Sequence, residues 1–306
     1  MFRVRQQIGY DTQFFCRENP ENYAVAIVDS GIIRHPDLEE QVIAFYDFSN
    51  EKNKKWADSY GHGTHVAGCL AGNGKLSSGR YHGICPNAKL VVLKVLNKDG
   101  IGEARWLLEA LRYINFHHKK WNIRVVNLSL GIEKDVKKET LLSIQKVIDE
   151  IIEQGIHIVC AAGNYGPNNN TIYGIGTMED VITVGCYDGI YENAYQRCCR
   201  LYSGRGDKAS AVIKPDIVAP GTHIISCSNK CTGYKYKKLH NAYEERSGTS
   251  MSTPIISGIL FGILLNYPNI TRKEARELLF NATTDIGCEK NMQGRGFIDC
   301  KKIKLY

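Results

Sequence analysis

No run of the chain approaches the ~18 uninterrupted apolar residues that a membrane span needs. The most apolar segment, Ile255 to Leu265, is too short. The first thirty residues carry charges throughout and no apolar stretch of signal-peptide length, so nothing there reads as an export signal and a cytoplasmic location is expected. Internal repeats, low-complexity blocks and Pro/Gly/Ser linkers between two cores are also missing. The basic residues, 39 against 32 acidic for a net charge of +7, are scattered and form no long run. A solvated surface with a basic bias is therefore the expectation, and neither a nucleic acid nor a membrane is an expected partner. Oligomeric state has no signal in the sequence.

Paired CxxC motifs are absent as well. The 11 cysteines are odd in number, and a chain of 306 residues is too large to need stapling. Several, such as Cys69, Cys160 and Cys186, stand in apolar runs, so reduced, buried thiols are expected. Cys227 and Cys231, four apart, and the adjacent Cys198 and Cys199 would permit a zinc or redox role, but no motif supports it.

What is present is strand-length apolar runs at Tyr23 to Val28, Leu90 to Leu96, Ile123 to Leu130, Ile156 to Ala161 and Val181 to Val184. Continuous apolarity implies burial on both faces. Glu103 to His118 and Lys138 to Gln154 have helical spacing between them, giving the alternation of an α/β protein with a mostly parallel, doubly wound sheet. A single domain over residues 1–306 is expected, with 1–20 as an N-terminal extension. Thr271 to Glu274 reads as a capping box opening a helix through Phe280. Asn50 to Tyr60 and Ser226 to Arg246 read as surface excursions. In such sheets the ligand crevice lies beyond the carboxyl ends of the strands, which draws attention to Asp29, Ser129 and Asn164.

Four short runs carry the chemistry. Ala24-Val-Ala-Ile-Val-Asp29-Ser-Gly31 ends a buried strand on a sheltered carboxylate suited to orienting an imidazole, although Asp before Ser-Gly is, taken alone, more often a turn former. Gly61-His62-Gly63-Thr64-His65 places a histidine among small residues. His62 is the candidate general base, since an imidazole of pKa ~6.5 accepts and returns a proton in one cycle. His65 suits a structural role better, and no third ligand supports a metal with it. Ser247-Gly248-Thr249-Ser250 precedes a long apolar helix. Ser250 can be a nucleophile in the field of the helix N-terminus, or the cluster can simply cap the helix. Cys160-Ala161-Ala162-Gly163-Asn164 offers a carboxamide donor for an oxyanion.

Together, in the order Asp, His, Asn, Ser, these runs resemble the subtilisin-like serine peptidases, with the feel of the intracellular bacterial members. Further landmarks cover nearly the whole chain: His35-Pro36-Asp37-Leu38, Leu93-Lys94-Val95-Leu96, Asn127-Leu128-Ser129-Leu130-Gly131, Lys214-Pro215-Asp216-Ile217 and Gly294 to Asp299. The resemblance implies a three-layer α/β/α fold and a serine endopeptidase working through an acyl-enzyme. It assigns Ser250 as nucleophile, His62 as base, Asp29 as its orienting group and Asn164 as oxyanion donor, with a peptide or protein as substrate. Substrate would lie as an added strand between Gly100, Ile101 and Gly102 on one side and Ser129, Leu130 and Gly131 on the other, with Ala161, Ala162 and Gly163 walling S1. Tyr173 stands where relatives often carry a small residue and is expected to shorten that pocket. No cofactor is needed for the chemistry. Many relatives bind a structural calcium through the Asp aligning with Asp37, but the other ligands here, in the Gly72 to Gly83 loop, do not align cleanly. The large propeptide of secreted relatives is not expected. Lys230 to Tyr243 suits a basic flap over the substrate or a solvated loop. Three rival readings are a catalytically silent peptide-binding relative, which the intact triad opposes, an esterase or amidase on small acyl substrates, and a basic nucleic-acid binder, for which no motif speaks.

Overall fold

The computed structural model describes residues 1–19, 22–131, 136–189, 199–231 and 241–304. The apolar run after residue 22 forms strand β1 (Ala24–Asp29), every residue of which is buried. Its side chains alternate: Val25 and Ile27 enter one core, while Ala24, Ala26 and Val28 enter the other. A strand feeding two cores has no polar face, which is why its sequence shows no alternation. The other strands of the sheet are β2 (Val42–Asp47), β3 (Lys89–Lys94), β4 (Ile123–Leu128), β5 (His157–Ala161), β6 (Ile182–Cys186) and β7 (Ile217–Ala219), with β10 (Thr283–Thr284) and β11 (Phe297–Ile298) at one edge. Their order is β10-β11-β7-β6-β5-β4-β1-β3-β2, parallel throughout except for the β10–β11 pair. A separate antiparallel pair, β8 (Ile224–Cys227) with β9 (Tyr243–Arg246), precedes the Ser250 helix.

Helices cover both faces, completing three α/β/α layers. Helix α1 (Phe2–Gln7), α2 (Thr12–Phe15) and α3 (His62–Ala71) place Val4, Phe15, Val66 and Leu70 in the first core. On the opposite face α4 (Ala104–Trp121) and α5 (Lys138–Glu153) contribute Leu107, Leu111, Ile148 and Ile151 to the second. The short helix α6 (Cys199–Tyr202) is followed by α7 (Thr249–Asn266), α8 (Arg272–Asn281) and α9 (Lys290–Gln293). The capping box at the start of α8 is formed in both directions, with Thr271 accepting from the Glu274 N–H and Glu274 from the Thr271 N–H.

Three expectations need correction. The excursion from Ser226 to Arg246 contains the β8–β9 pair, although residues 232–240, the middle of the expected flap, lie outside the described residues. Thr249–Asn266 as a whole does have the length and mean hydropathy (1.4) of a membrane span, yet 89% of it is buried in the protein. Its serines, threonines and glycines interrupt the apolar run without making the helix polar. Cys69 and Cys160 are free and buried as expected, but Cys186 is paired with Cys199 in a disulfide, their Cα atoms 5.3 Å apart. That pairing joins the end of β6 to a helix 13 residues on, a proximity that no local pattern announces. Cys198 lies outside the described residues.

One buried base makes stability depend on pH. His157, first residue of β5, is 1% exposed, and neither ring nitrogen has a hydrogen-bond partner among the described residues. Burial, then the positive charges of Arg272, Arg124 and Arg276, lower its pKa to about 3. The unfolded chain, titrating near ~6.5, binds a proton that the folded chain refuses, so this contribution is lost as pH falls from 6.5 towards 3. The slope is about 1.4 kcal/mol per pH unit for one such group. His65, also buried and lowered to about 3, adds to it. His157→Leu is expected to lose less thermal stability than the parent between pH 7 and pH 5, and parallel Tm-against-pH curves would exclude this role.

Candidate active site

Asp29 is the last residue of β1, fully buried, and Ser30 and Gly31 turn the chain away from the sheet there. Its Oδ1 accepts from the Ser30 N–H at 2.7 Å and contacts His62 Nδ1 at 2.7 Å. With Nδ1 donating, Nε2 of His62 becomes the lone-pair nitrogen, the tautomer a general base requires. His62 opens α3, and its side chain is 15% exposed, so one edge of the ring reaches solvent. The close Asp29–His62 approach depends on Gly63. A Cβ on Gly63 would stand 2.2 Å from the Gly31 carbonyl oxygen, so any larger residue pushes α3 off the end of β1.

Asp58, inside the segment read as a surface excursion, was not singled out by the sequence. It is 3% exposed. Its Oδ1 accepts from Ser30 Oγ (2.8 Å) and the Gly61 N–H (2.7 Å), and its Oδ2 from the Thr64 N–H (2.8 Å) and Thr64 Oγ1 (2.6 Å). Ser30 Oγ in turn accepts from the Gly63 N–H at 2.8 Å. Gly61, the residue before α3, has left-handed backbone and no capping side chain, so Asp58 and Ser30 satisfy the first-turn N–H groups that a conventional cap would serve. The helix carrying His62 is thereby fastened to the strand carrying Asp29. The one sequence signal for Asp58 is its place three residues before Gly-His-Gly-Thr. At the end of β3, in register with Asp29, Lys94 is fully buried and donates to the Ser30 carbonyl at 2.9 Å.

Ser250 is the second residue of α7. Pro254, further along this helix, has no N–H for the carbonyl four residues back, and side chains supply part of the fastening. Thr253 Oγ1 donates to the Thr249 carbonyl (2.8 Å), Ser252 Oγ lies 3.0 Å from the Ala219 carbonyl, and Ser257 Oγ donates to Asn127 Oδ1 (2.9 Å). Asn127 also donates to Ser129 Oγ at 2.9 Å, linking α7 to the end of β4.

Asn164 Oδ1 accepts from the Thr249 N–H at 3.0 Å and from Thr249 Oγ1 at 3.2 Å. The carboxamide oxygen is thus occupied, which fixes the amide's orientation and makes Nδ2 its donor face. The backbone of Gly248 passes close by, and a Cβ there would lie 3.3 Å from Nδ2. In the first turn of α7 the Thr249 N–H is taken by Asn164 Oδ1 and the Met251 N–H by the Gly248 carbonyl (3.0 Å), which leaves Asn164 Nδ2 and the Ser250 N–H as donors beside the Ser250 hydroxyl.

His62, Ser250 and Asn164 share one open cleft of about 710 Å³. Of the remaining residues anticipated from sequence, Gly100, Ile101, Gly102, Ser129, Leu130 and Gly131 line the same cleft. Ile101 is 63% exposed, on a turn held by Asn97 through the Ile101 N–H (3.0 Å). Ala161 and Ala162 are buried behind the cleft, and Gly163 has left-handed backbone just before Asn164. Tyr173 is not in the cleft lining. Tyr165 is, and the two rings lie with centroids 6.2 Å apart. Of the two contacts expected of a triad, the Asp29–His62 hydrogen bond is formed, while Ser250 and His62 share the cleft without one among the described residues. Serine triads often show this looseness before substrate binds.

Asp37 lies away from the cleft. Its Oδ1 accepts from the Leu76 N–H at 2.9 Å and its Oδ2 from the Tyr243 hydroxyl. The ligand-type atoms gathered around it are a His35 ring nitrogen and the Cys227 thiol. Calcium takes six to eight oxygens, and of these three side chains only Asp37 offers any. His65 is buried, with Nε2 2.9 Å from the Ile224 carbonyl, a fastening between α3 and β8.

Comparison with known proteins agrees with this geometry. AprX, a serine protease of Bacillus subtilis (strain 168), is 37% identical over 289 residues, covering 90% of this chain and 65% of AprX, so the chain spans just under two thirds of that relative. The major intracellular serine protease of the same organism is 29% identical over 290 residues, covering 91% of this chain and 81% of the relative. The solved structure of sphericase superposes with a TM-score of 0.80 at 25% identity, covering 97% of this chain and 96% of that one. Residues 21–296 match the subtilase family of S8 peptidases, and the chain belongs to that family.

Proposed function

We propose that the chain is a serine endopeptidase in which Ser250, His62 and Asp29 act as the triad and Asn164 as oxyanion donor. The observation that carries this reading is the 2.7 Å Asp29–His62 contact on a cleft shared with Ser250 and an Asn164 amide whose oxygen is already occupied. Ser250 Oγ attacks the scissile carbonyl as His62 Nε2 takes its proton. The carbonyl oxygen, now anionic, accepts from Asn164 Nδ2 and the Ser250 N–H, and collapse expels the amine with the proton returned by His62. Water activated by the same imidazole releases the acid. Asp29 stays ionised and holds the tautomer. Every step uses side chains and backbone alone, so no cofactor enters the chemistry.

Peptide substrates fit the cleft because Gly100 to Gly102 and Ser129 to Gly131 offer backbone on two sides, as strand addition requires. Gly163 and the alanines before it would wall S1, and Tyr173 would limit it from behind Tyr165. Tyr173→Gly is expected to raise kcat/KM several-fold for peptides with a large P1 side chain. An unchanged ranking across a P1-varied series would remove Tyr173 from the specificity determinants. Residues 1–20 would be an extension packed on a single peptidase domain, since Val4, Ile8 and Phe15 are buried in the first core. A cytoplasmic location would agree with the word intracellular in the names of two relatives, and cell fractionation with an antibody checks it.

The function is tested by intact-mass analysis after fluorophosphonate treatment. One adduct per chain, abolished in Ser250→Ala, is expected. A well-folded parent that takes no label would instead favour a catalytically silent peptide binder.

A further inference from the structure

The group around Asp37 is unused by the peptidase chemistry. His35 and Asp37, in the turn after β1, and Cys227, at the end of β8, are each no more than 1% exposed, and each presents a ligand-type atom within 4.8 Å of the other two. Their orientations are set from outside the group. His35 Nε2 faces the Ala242 carbonyl at 2.8 Å, which makes it the protonated nitrogen. Nδ1, which takes the Asp37 N–H at 3.1 Å, is then the lone-pair nitrogen. An imidazole held through its other nitrogen by a backbone carbonyl is the usual arrangement behind a metal-binding histidine. The Asp37 carboxylate is likewise held, by the Leu76 N–H and the Tyr243 hydroxyl.

A second thiol, Cys231, is 1% exposed and four residues on from Cys227. Thiols and a carboxylate are thus gathered in a buried region, where negative charge is tolerated only beside a cation.

We propose that His35 Nδ1, an Asp37 carboxylate oxygen and Cys227 Sγ bind a thiophilic divalent ion of the zinc class. Mixed N, O and S donors suit tetrahedral zinc and exclude the oxygen shell of calcium. On binding, the Cys227 thiol gives its proton to solvent and becomes a thiolate, and the Asp37 N–H yields Nδ1 to the metal. The site is therefore weakened by acid. None of its three protein ligands lines the peptidase cleft, so its role is structural rather than catalytic. It would tie the turn after β1 to the β8–β9 hairpin. That hairpin supports the triad loop, since Arg246 donates to the Tyr60 carbonyl at 3.0 Å and Asn229 to the Asp58 carbonyl at 3.0 Å.

The test titrates dialysed, full-length protein with Zn²⁺ and, separately, with Co²⁺. Expected are one zinc per chain, a Tm raised by several degrees, and a tetrahedral cobalt spectrum with thiolate-to-metal charge transfer. Cys227→Ser should lose the charge-transfer band and His35→Gln its tetrahedral intensity, while Cys231→Ser, outside the group, should keep both. The parent's cobalt spectrum needs no substitution, so the proposal can be overturned even where a variant fails to fold. Absence of zinc uptake, a cobalt spectrum without thiolate bands, or bands that survive in Cys227→Ser would overturn it. So would a Tm that rises with Ca²⁺ but not Zn²⁺ and ceases to do so in Asp37→Asn, which would assign the site to oxygen donors.

Discussion

His62→Ala is expected to lower kcat on a peptide substrate by about 10⁶, with KM changed little. The size of the effect is that known for subtilisin, a member of the same family, in which loss of the base or the nucleophile alone has this consequence. What the geometry adds is the reason for the loss. Among the described residues Asp29 Oδ1 has the Ser30 N–H and His62 as partners and Oδ2 is buried with none, so the carboxylate is positioned for the imidazole. Ser250 then loses the one imidazole that lines the cleft among the described residues. Because the triad acts as a unit, Ser250→Ala added to His62→Ala should cost almost nothing further. Full additivity of the two losses, measured with an assay sensitive enough for the double variant, would mean that the residues act separately. Residual hydrolysis above the uncatalysed rate should persist in all three variants, from the Asn164 and backbone donors.

Asp58→Ala is the second large effect. Its carboxylate receives four hydrogen bonds, from Ser30 Oγ, the Gly61 N–H, the Thr64 N–H and Thr64 Oγ1. Truncation leaves four donors in a buried site. At roughly 1 kcal/mol or more for each unsatisfied group, the loss reaches about 4 kcal/mol, a large part of the ~5–15 kcal/mol that holds a domain folded. Activity measured well below the lowered Tm should fall as well, mainly in kcat, because the start of α3 is no longer held against Ser30 and the His62 ring loses its alignment. A merely structural role would lower Tm and leave kcat of the remaining folded protein intact. Asp58→Asn, which keeps one acceptor oxygen, is expected between the parent and Asp58→Ala on both measures. Destabilisation below 1 kcal/mol in denaturant unfolding would show that water replaces the carboxylate.

Asp29, His62, Asn164 and Ser250 could be found in the sequence because each sits at a change of local pattern, a buried run ending or a helix beginning, with small residues around it. Asp58 could not. Its surroundings are polar and strand-free, and its importance arises only when the chain returns from β2 to cross the end of β1. The central strands were legible from continuous apolarity, whereas β2 was missed because it has one fully buried residue and a mixed outer half. Strands β10 and β11 have two residues each, too few to show any period. Tyr173 was chosen by likeness to relatives, and only the packing reveals Tyr165 as the ring in the cleft. The same limit applies to Asp37. Its motif pointed to oxygen ligands, and the neighbours that the fold supplies are an imidazole and a thiol.

Helix α7 is apolar on nearly all sides and almost wholly enclosed, yet its second residue is Ser250. Amides in the middle of such a helix exchange with solvent hydrogen only when the whole structure opens, since no smaller opening exposes them. Ser250, the proposed nucleophile, therefore stands at the start of a slowly exchanging element rather than on a loop with its own melting behaviour. On warming, esterolytic activity and the protection of the α7 amides should disappear together, as one cooperative event.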